Sequence, residues 1–510
     1  MRLDLTLNKL ENADLLRPAT DEEQTFMFAH ALVQDTVYAS MLKQDRRHLH
    51  RMVGEVLEQV YVDHIDEFAA LLAHHFALAG DDKKTLQYAV RAGDAAMRVY
   101  AYHEARSLYE KALTTLDRLE NSDEHCRLRA DTLVKQVSIS YPYQHSSTSF
   151  KCLMEAEAIV QDLYVSTQRD EDRLRLARIH YWLGRMHGYR NETHQAIDNL
   201  MLTLQEAGNS NDETLLAFPS AVIGRLMNIQ GQFGAAEALL QQAVGPLEKG
   251  ENWAEWVSTL GQLALAQAAR GRASQAVENG TRVLQRAMAI KNVASIAEAQ
   301  AMLAAIYFMI GDYDRMAKMA RVCIQTAESS ETRLYCFLGY AMLALAQSEQ
   351  GEPDNALASI QRAAEIDQTM LEGRVYSDWY AAVHAQVILN IGESEEACEL
   401  ARQGVQLAQS IGGIFSVGLS ERVWALGLAQ RHADWEKIET HLEKSLNAFE
   451  TGDARVESAR THAAWGKLLQ ARGQYRAARE HLELAIDRFQ EAELTRELNA
   501  ARQALSERVT

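Results

Sequence analysis

The sequence predicts an all-α protein built from stacked helix hairpins. Its 510 residues include only 5 prolines, against an average usage of about 5%. Alanine, leucine, glutamate, glutamine and arginine dominate, and these residues lose little side-chain entropy in a helix. The stretch RGQYRAAREHLELAI (472–486) also repeats the pattern of QGQFGAAEALLQQAV (230–244). A helical composition with a recurring motif favours a helical repeat protein over three ordinary domains of about 150 residues.

The motif recurs at a nearly constant interval. Its glycine predicts the corner of a hairpin, because glycine takes the left-handed conformation that ends a helix. Successive corners are about 40 residues apart, a spacing typical of helical repeats, so the two copies quoted above are separated by six repeats. The predicted corners are Gly231, Gly271, Gly311, Gly351, Gly392, Ala433 and Gly473.

A second position, five residues after each corner, extends the repeats upstream. It is usually small, and Met316 and Ile438 are the exceptions that we expect to separate their helices more widely. Its members are Ala105, Ala156, Ala196, Ala236, Ala276, Met316, Ala356, Ala397, Ile438 and Ala478. These positions predict ten hairpins between residues 86 and 490, with about eleven extra residues between the first two. The insertion, placed at 141–150 around YPYQHSSTS, is either a neutral loop or a loop on a functional face.

Each predicted hairpin follows one physical plan. Apolar residues at helical spacing end at a corner such as Gly311, and a second amphipathic helix starts at an aromatic residue such as Tyr313. One hairpin cannot bury its apolar stripe alone, but a stack of ten can. The small residues and the Gly-x-aromatic corner resemble the tetratricopeptide (TPR) repeat, although the period here is longer than the usual one of that repeat. The resemblance implies a right-handed superhelical solenoid in which each repeat contacts mainly its neighbours.

Residues 1–62 do not follow this period. They predict a helix, a charged turn or short hairpin near 15–28, and two amphipathic helices. An aromatic-x-aromatic-x-His-Ala-Leu run is followed by a tyrosine, a leucine, an Arg-Arg pair and a histidine. These residues are Phe26, Phe28, His30, Ala31, Leu32, Tyr38, Leu42, Arg46, Arg47 and His50. The pattern resembles the winged-helix exit of bacterial STAND-type signalling ATPases, which include adenylate-cyclase–ATPase fusions and the maltose-regulon activator, and 67–97 resembles their first solenoid helices.

This resemblance implies that His30 occupies a nucleotide-sensing position. The phosphate-binding loop G-x-x-x-x-G-K-[ST] occurs nowhere in the sequence. His30 is therefore either a sensor with no nucleotide in this chain or a histidine buried in a helix contact. The predicted domains are a winged-helix-like segment at 1–62, the repeat solenoid at 63–490 and a C-terminal capping helix or tail at 491–510.

Composition disfavours several classes of partner and indicates the cellular compartment. The net charge of -18 disfavours nucleic acid as a ligand, because phosphate binding needs a concentrated basic surface. The five cysteines are odd in number and lack CxxC spacing, which predicts reduced thiols. They are Cys126, Cys152, Cys323, Cys336 and Cys398. No apolar run reaches the ~18 residues of a membrane span, and the N-terminus lacks the features of a signal peptide. These features predict a cytoplasmic protein without membrane contacts.

No motif indicates catalysis. The patterns G-x-S-x-G and H-E-x-x-H and the Rossmann glycine fingerprint are absent. His74 and His75 are adjacent, and His48 and His50 are two apart. On a helix each pair points to different faces, whereas helical zinc ligands stand four residues apart. The sequence therefore predicts no catalytic residue, no metal and no cofactor.

The inner face of the solenoid is the predicted binding surface. Residues ten, six and three positions before a corner should point inward together. In two successive repeats they are Tyr181, Arg185 and Gly188, with Arg178 one turn earlier, and then Ala221, Arg225 and Asn228. The next three repeats give Gly261, Leu265 and Ala268; Ala301, Ala305 and Phe308; and Ala341, Leu345 and Ser348. The arginines are either paired with neighbouring acids or form a clamp for an anionic group of a protein, peptide or small ligand. The predicted ligand contacts are Arg178, Tyr181, Arg185, Arg225 and Asn228.

Three functions follow from these observations. The first is a non-enzymatic binding module, which the resemblance implies to be the sensor or partner-binding arm of a signalling ATPase or cyclase. The second is a stand-alone TPR adaptor. An enzyme in its own right is the third and most distant.

Overall fold

A computed structural model describes residues 2–19, 25–140, 146–190, 192–208, 213–370 and 375–506. The chain divides into an N-terminal unit, Met1–Ile139, and a repeat unit, Ser140–Thr510. The described residues form 25 α-helices, one short 3-10 helix and one two-stranded sheet, which confirms the all-α class.

The N-terminal unit begins with a helix, a short hairpin and two further helices. Its first elements are α1 (Arg2–Asn12), β1 (Leu16–Pro18), β2 (Phe26–Phe28), α2 (Ala31–Ser40) and α3 (Lys43–Val60). The strands pair antiparallel, with Leu16 opposite Phe28. This order confirms the one predicted for the front end. A 3-10 helix (Val62–His64), α4 (Ile65–Ala79), α5 (Asp82–Arg98), α6 (Tyr102–Leu116) and α7 (Asp123–Ser140) follow.

The repeat unit is a succession of packed helix pairs. Its helices are α8 (Ser146–Thr167), α9 (Asp170–Tyr189), α10 (Thr193–Ala207), α11 (Glu213–Gln230), α12 (Phe233–Lys249), α13 (Trp253–Ala269), α14 (Ala273–Ala289), α15 (Val293–Met309), α16 (Tyr313–Ser329), α17 (Arg333–Glu349), α18 (Pro353–Thr369), α19 (Ser377–Asn390), α20 (Ser394–Ile411), α21 (Ile414–Gln430), α22 (Trp435–Thr451), α23 (Arg455–Ala471), α24 (Tyr475–Glu491) and α25 (Thr495–Ser506). The hairpins from α9/α10 to α23/α24 coincide with the predicted repeats.

The regular period has a simple structural origin. Helices α13 to α18 all have the same length, and connections of equal length join them. The corner residue has a positive φ in seven hairpins, at Gly231, Gly271, Gly311, Gly351, Gly392, His432 and Gly473. The predicted corner at Ala433 is wrong by one position. The connection between α21 and α22 is one residue longer than those between α13 and α18, and its left-handed position is His432, with φ 54°.

The connection from one hairpin to the next also contains a left-handed residue. Glu251, Lys291, Glu331, Asp453 and Glu493 have φ between 54° and 58°. Residues with a Cβ seldom adopt this conformation, and no glycine marks these positions. The sequence pattern therefore did not reveal this second turn.

The predicted insertion and the two large residues at the alanine position can be located in the structure. Residues 141–145 of the predicted insertion lie outside the described residues, and 146–150 form the start of α8. Met316 and Ile438, which stand where most repeats have alanine, are 0% and 4% exposed. They are thus buried at the same interface as the alanines.

Contacts between distant repeats add to those between neighbours. The backbone amide of Phe233 donates to the carbonyl of Gly452 at 3.0 Å, and Nε1 of Trp379 donates to the carbonyl of Ile229 at 2.8 Å. The Phe415 ring lies 5.3 Å from that of Phe233 and 4.6 Å from that of Trp379, measured between centroids. The expectation that each repeat contacts mainly its neighbours is therefore incomplete, because late repeats also pack on the corners of middle ones.

Candidate functional site

Two of the predicted arginines assemble around one glutamate. Arg185 on α9 and Arg225 on α11 both bind the carboxylate of Glu255 in the first turn of α13. Nη1 of Arg185 lies 2.7 Å from Oε2, and Nη2 of Arg225 lies 2.6 Å from Oε1. Arg225 also donates to the hydroxyl of Ser258 at 2.6 Å. The three charged side chains are only 10–17% exposed, so the cluster is largely internal.

Glu255 was not predicted, although the sequence contains a signal for it. It is the only charged residue of α13, and a charge on a buried helix requires a partner. Burial alone would raise its pKa, but the charges of Arg185 and Arg225 outweigh burial and hold the pKa of Glu255 below its usual value. Burial raises the pKa of Glu298, a second carboxylate near Arg225.

The other three predicted ligand contacts, Tyr181, Asn228 and Arg178, differ from one another in burial and in hydrogen bonding. The hydroxyl of Tyr181 accepts a hydrogen bond from Arg185 at 2.9 Å, and burial raises its pKa. Asn228 is 0% exposed, and its Nδ2 donates to the carbonyl oxygen of Gln262 at 2.6 Å. Arg178 is exposed.

The structure therefore brings Tyr181, Arg185 and Arg225 together, while Asn228 bonds to α13 and Arg178 faces solvent. Glu255 stands where an anionic ligand group was expected. A ligand carboxylate would have to displace it from both guanidinium groups. The anion clamp stays a prediction.

A groove of about 850 Å³ lies elsewhere in the repeat unit. One wall consists of residues from the first helices of four successive hairpins, α17, α19, α21 and α23. The lining residues that follow the inward-facing pattern are Leu345, Ser348, Gln386, Leu389, Arg422, Leu426, Ala429, Ala463 and Lys467. Each lies ten, six or three positions before a corner, once the corner after α21 is placed at His432. Extending the count beyond Ser348 with that corner would have found this wall from the sequence.

The other wall is formed by Phe489, Glu497, Ala500 and Ala501, near the end of the described chain. The hairpin before α17 also contributes to the groove, with Tyr313 and with Phe308, which lies three positions before the corner Gly311. Primary amides lie among the apolar residues of the first wall. Nε2 of Gln386 donates to Oδ1 of Asn390 at 2.7 Å, and Nδ2 of Asn390 donates to Oε1 of Glu349 at 2.8 Å. The groove thus combines an apolar surface with side chains that exchange hydrogen bonds.

A chain of ion pairs crosses this groove. Glu457, which is 0% exposed, pairs with Arg422 at 2.5 Å and with Arg460, and Arg460 pairs with Glu497 at 2.8 Å. Nη2 of Arg460 also donates to the carbonyl of Met309, the last residue of α15, at 3.0 Å. Burial opposes the charge of Glu457, but the two arginines outweigh it and lower its pKa. These bonds connect α21, α23 and α25 to the end of α15.

A second cavity, of about 960 Å³, adjoins the groove. The two share Tyr313, Glu349 and Glu497 as lining residues. The acidic residues of the second cavity are Glu278, Asp312, Asp314, Glu349, Glu493 and Glu497, and its basic residues are Arg315 and Arg496. This end of the groove is therefore acidic.

Three histidines of the patterns discussed above, His30, His50 and His75, lie in the N-terminal unit. His30 is exposed at the start of α2, so its interpretation as a histidine buried in a helix contact is wrong. Nδ1 of His50 lies 2.9 Å from Nδ1 of His75, and its Nε2 lies 2.9 Å from the hydroxyl of Tyr38. Within the described ranges, no three His, Cys, Asp or Glu side chains are grouped to hold a metal ion.

The five cysteines carry free thiols. Across the part of the chain that the structure covers, no helix combines the length and the apolar character needed to cross a membrane.

The chain is similar to TPR proteins. It matches a Rap protein complexed with Competence and Sporulation Factor over 83% of this chain and 99% of that chain, with 12% identity and a TM-score of 0.48. The quorum sensor NprR from B. thuringiensis matches over 72% and 100%, with 13% identity and a TM-score of 0.47. A STAND protein with a TPR sensor from Pyrococcus horikoshii matches over 68% of this chain and 52% of that chain, with 13% identity and a TM-score of 0.39.

No protein-family model and no curated protein sequence matches the chain. At 12–13% identity and TM-scores below 0.5, none of the three likenesses assigns a function.

Proposed function

We propose that the chain is a non-enzymatic helical-repeat module that binds an extended peptide segment of a partner in the groove between α17–α23 and α25. The observation that carries the proposal is the 850 Å³ groove built from equivalent positions of four successive hairpins. Because stacked repeats present equivalent residues at regular intervals, they suit a ligand that is itself a regular chain. Pockets that bind ligands combine an apolar lining with a few polar groups. Here Leu389 and Leu426 supply the apolar lining, and the amides of Gln386 and Asn390 supply the polar groups.

The larger context of this module is part of the proposal. A role as the sensor or partner-binding arm of a signalling ATPase or cyclase rests on the pattern around His30 and on the order of winged helix and solenoid. The stand-alone adaptor differs from it only in what the module is attached to. Both roles need the same peptide-binding groove.

A phage-displayed library of random twelve-residue peptides, selected on the full chain, tests the proposal. Ala500 is an exposed residue of α25 that lines the groove, so Ala500→Trp fills the groove without disturbing the core. Ala254→Trp is the matched control on an exposed position of α13. We expect the selected peptides to bind Ala500→Trp at least tenfold more weakly and Ala254→Trp unchanged. Failure to select any peptide, or equal losses in both variants, would overturn the proposal.

A further inference from the structure

We infer that the groove takes a peptide whose lysine- or arginine-bearing end lies in the acidic cavity beside Tyr313. This inference rests on the proposed function and adds the chemical class of its ligand. The first observation is that the groove and the acidic cavity share lining residues. Tyr313, Glu349 and Glu497 line both cavities, so a peptide segment in the groove reaches the acidic cavity past these three side chains.

The second observation is the charge of that cavity. Six carboxylates line it against two guanidinium groups. Oδ2 of Asp312 binds Nε of Arg315 at 2.5 Å, and Glu497 binds Arg460 of the groove at 2.8 Å, so two of the six carboxylates are already paired. Glu278, Asp314 and Glu493 are exposed to solvent. A cavity lined by one sign of charge concentrates ligands of the opposite sign, so this end favours a cationic group.

The third observation is a cation that already occupies the cavity. The guanidinium carbon of Arg496 lies 5.0 Å from the centroid of the Tyr313 ring, within the range of a cation–π contact. Arg496 is itself exposed. The Tyr313 ring thus faces a guanidinium group supplied by the protein. A lysine or arginine of the ligand would meet the same ring and the same carboxylates.

The charge preference is confined to this end of the groove. Farther along, Arg422 and Arg460 are matched by Glu457 and Glu497, and Lys467 is a basic residue of the lining. A positive residue in the middle of the peptide would therefore find no excess of carboxylates. The ligand class is an extended peptide with positive charge at one end and small or aliphatic residues in the remainder.

The test uses ten-residue peptide libraries, random at the central positions, with Lys-Lys, Ser-Ser or Glu-Glu at one end or the other. The full chain should retain the Lys-Lys library of one orientation at least tenfold better than the Ser-Ser library. The Glu-Glu libraries should be depleted. Because exposed charges are screened by salt, the advantage of Lys-Lys should shrink as the salt concentration rises.

Two triple variants with the same change in charge separate the acidic cavity from the general acidity of the chain. Glu278→Gln, Asp314→Asn and Glu349→Gln, combined, should abolish the preference for Lys-Lys. The control combines Glu436→Gln, Glu443→Gln and Asp487→Asn, three exposed acids outside both cavities, and should keep the preference. Peptides that bind without a preference for Lys-Lys, or that keep it in the first variant, would overturn this inference and leave the proposed function standing. If no library binds, both fail.

Discussion

Two carboxylates of the repeat unit, Glu255 and Asp378, are buried and respond to burial in opposite ways. Burial opposes ionisation of both side chains. At Glu255 the charges of Arg185 and Arg225 outweigh burial, and the pKa falls. At Asp378, which is 1% exposed, burial outweighs the hydroxyl of Ser416 and raises the pKa to about 6. Relative to the unfolded chain, the folded state therefore favours the ionised form of Glu255 and the protonated form of Asp378.

Asp378→Asn should stabilise the protein at neutral pH. The pKa of an aspartate is 3.8 without the protein environment and about 6 in the folded state. Between these values the folded state holds a proton that the unfolded state releases, so stability falls as the pH rises through this window and stays low above it. Two pKa units correspond to ~3 kcal/mol. We expect Asp378→Asn to raise the free energy of unfolding by up to ~3 kcal/mol above the window, and to change it little below the window.

Urea denaturation at pH values on both sides of the window measures this effect. Asp354→Asn is the matched control, because Asp354 is the second residue of α18 as Asp378 is of α19, and it is exposed. The control should change stability little at either pH. A gain from Asp378→Asn that did not depend on pH would contradict the account.

Glu255→Gln should destabilise the protein strongly. It removes the carboxylate that binds both Arg185 and Arg225, and breaking a buried ion pair by removing one partner costs about 3–5 kcal/mol. The exposed Glu248 of α12 provides the control Glu248→Gln. Urea denaturation at neutral pH should show a large loss for the first variant and almost none for the second. Similar stability of the two would show that Glu255 is dispensable, and would favour displacement of its carboxylate by a ligand.

At the scale of the single helix hairpin, the corner glycines differ in whether a distant repeat packs against them. All have a positive φ, but only some are enclosed by a distant repeat. A Cβ on Gly231 would lie 2.6 Å from the backbone nitrogen of Phe415, and a Cβ on Gly271 would lie 3.1 Å from the Cβ of Ala492. A Cβ on Gly351 would meet nothing within 4 Å. Glycine therefore serves the turn at six of the seven left-handed corners and the contact between distant repeats at some of them.

Gly231→Ala and Gly351→Ala should separate these two roles. Both place an alanine at a positive φ, which costs roughly 1–2 kcal/mol. Gly231→Ala also drives a methyl group into the backbone of α21, and such overpacking costs a further ~1–3 kcal/mol. Thermal unfolding of the two variants should show the larger loss for Gly231→Ala. Equal losses would mean that the corner and α21 separate easily.

At the scale of the whole repeat unit, residues of the late repeats contact residues of the middle repeats. Arg270 reaches Asp453, 183 positions later, at 2.5 Å, and Ser274 reaches Glu493, 219 positions later, at 2.5 Å. A linear stack of repeats would make only neighbour contacts. These bonds, with the aromatic rings around Phe415, hold the late repeats on the middle ones.

Phe415→Ala should loosen this closure, whereas Phe337→Ala should not. Both phenylalanines are 1% exposed, and either substitution should cost about 3–5 kcal/mol. Phe415 contacts the rings of Phe233 and Trp379, and Phe337 contacts Tyr380 of the next repeat. Hydrogen exchange in the segment 229–235, which contains the amide of Phe233, should accelerate in Phe415→Ala only. The same acceleration in both variants would show a general loss of stability instead of a local opening.

The sequence by itself determined the helical class, the repeat period and the corners marked by glycine. These signals are local, because each repeat packs on the next and presents the same pattern again. The error of one position at Ala433 arose because the left-handed corner residue there is His432. The turns at Glu251 and its equivalents were missed because charged residues occupy them. Only the tertiary structure decided that Glu255 binds two arginines, that Phe415 packs on Gly231 and that Arg460 bonds to α15. Contacts such as these last two join residues far apart in the chain, and their proximity depends on the summed rotation of several repeats, which no local pattern specifies.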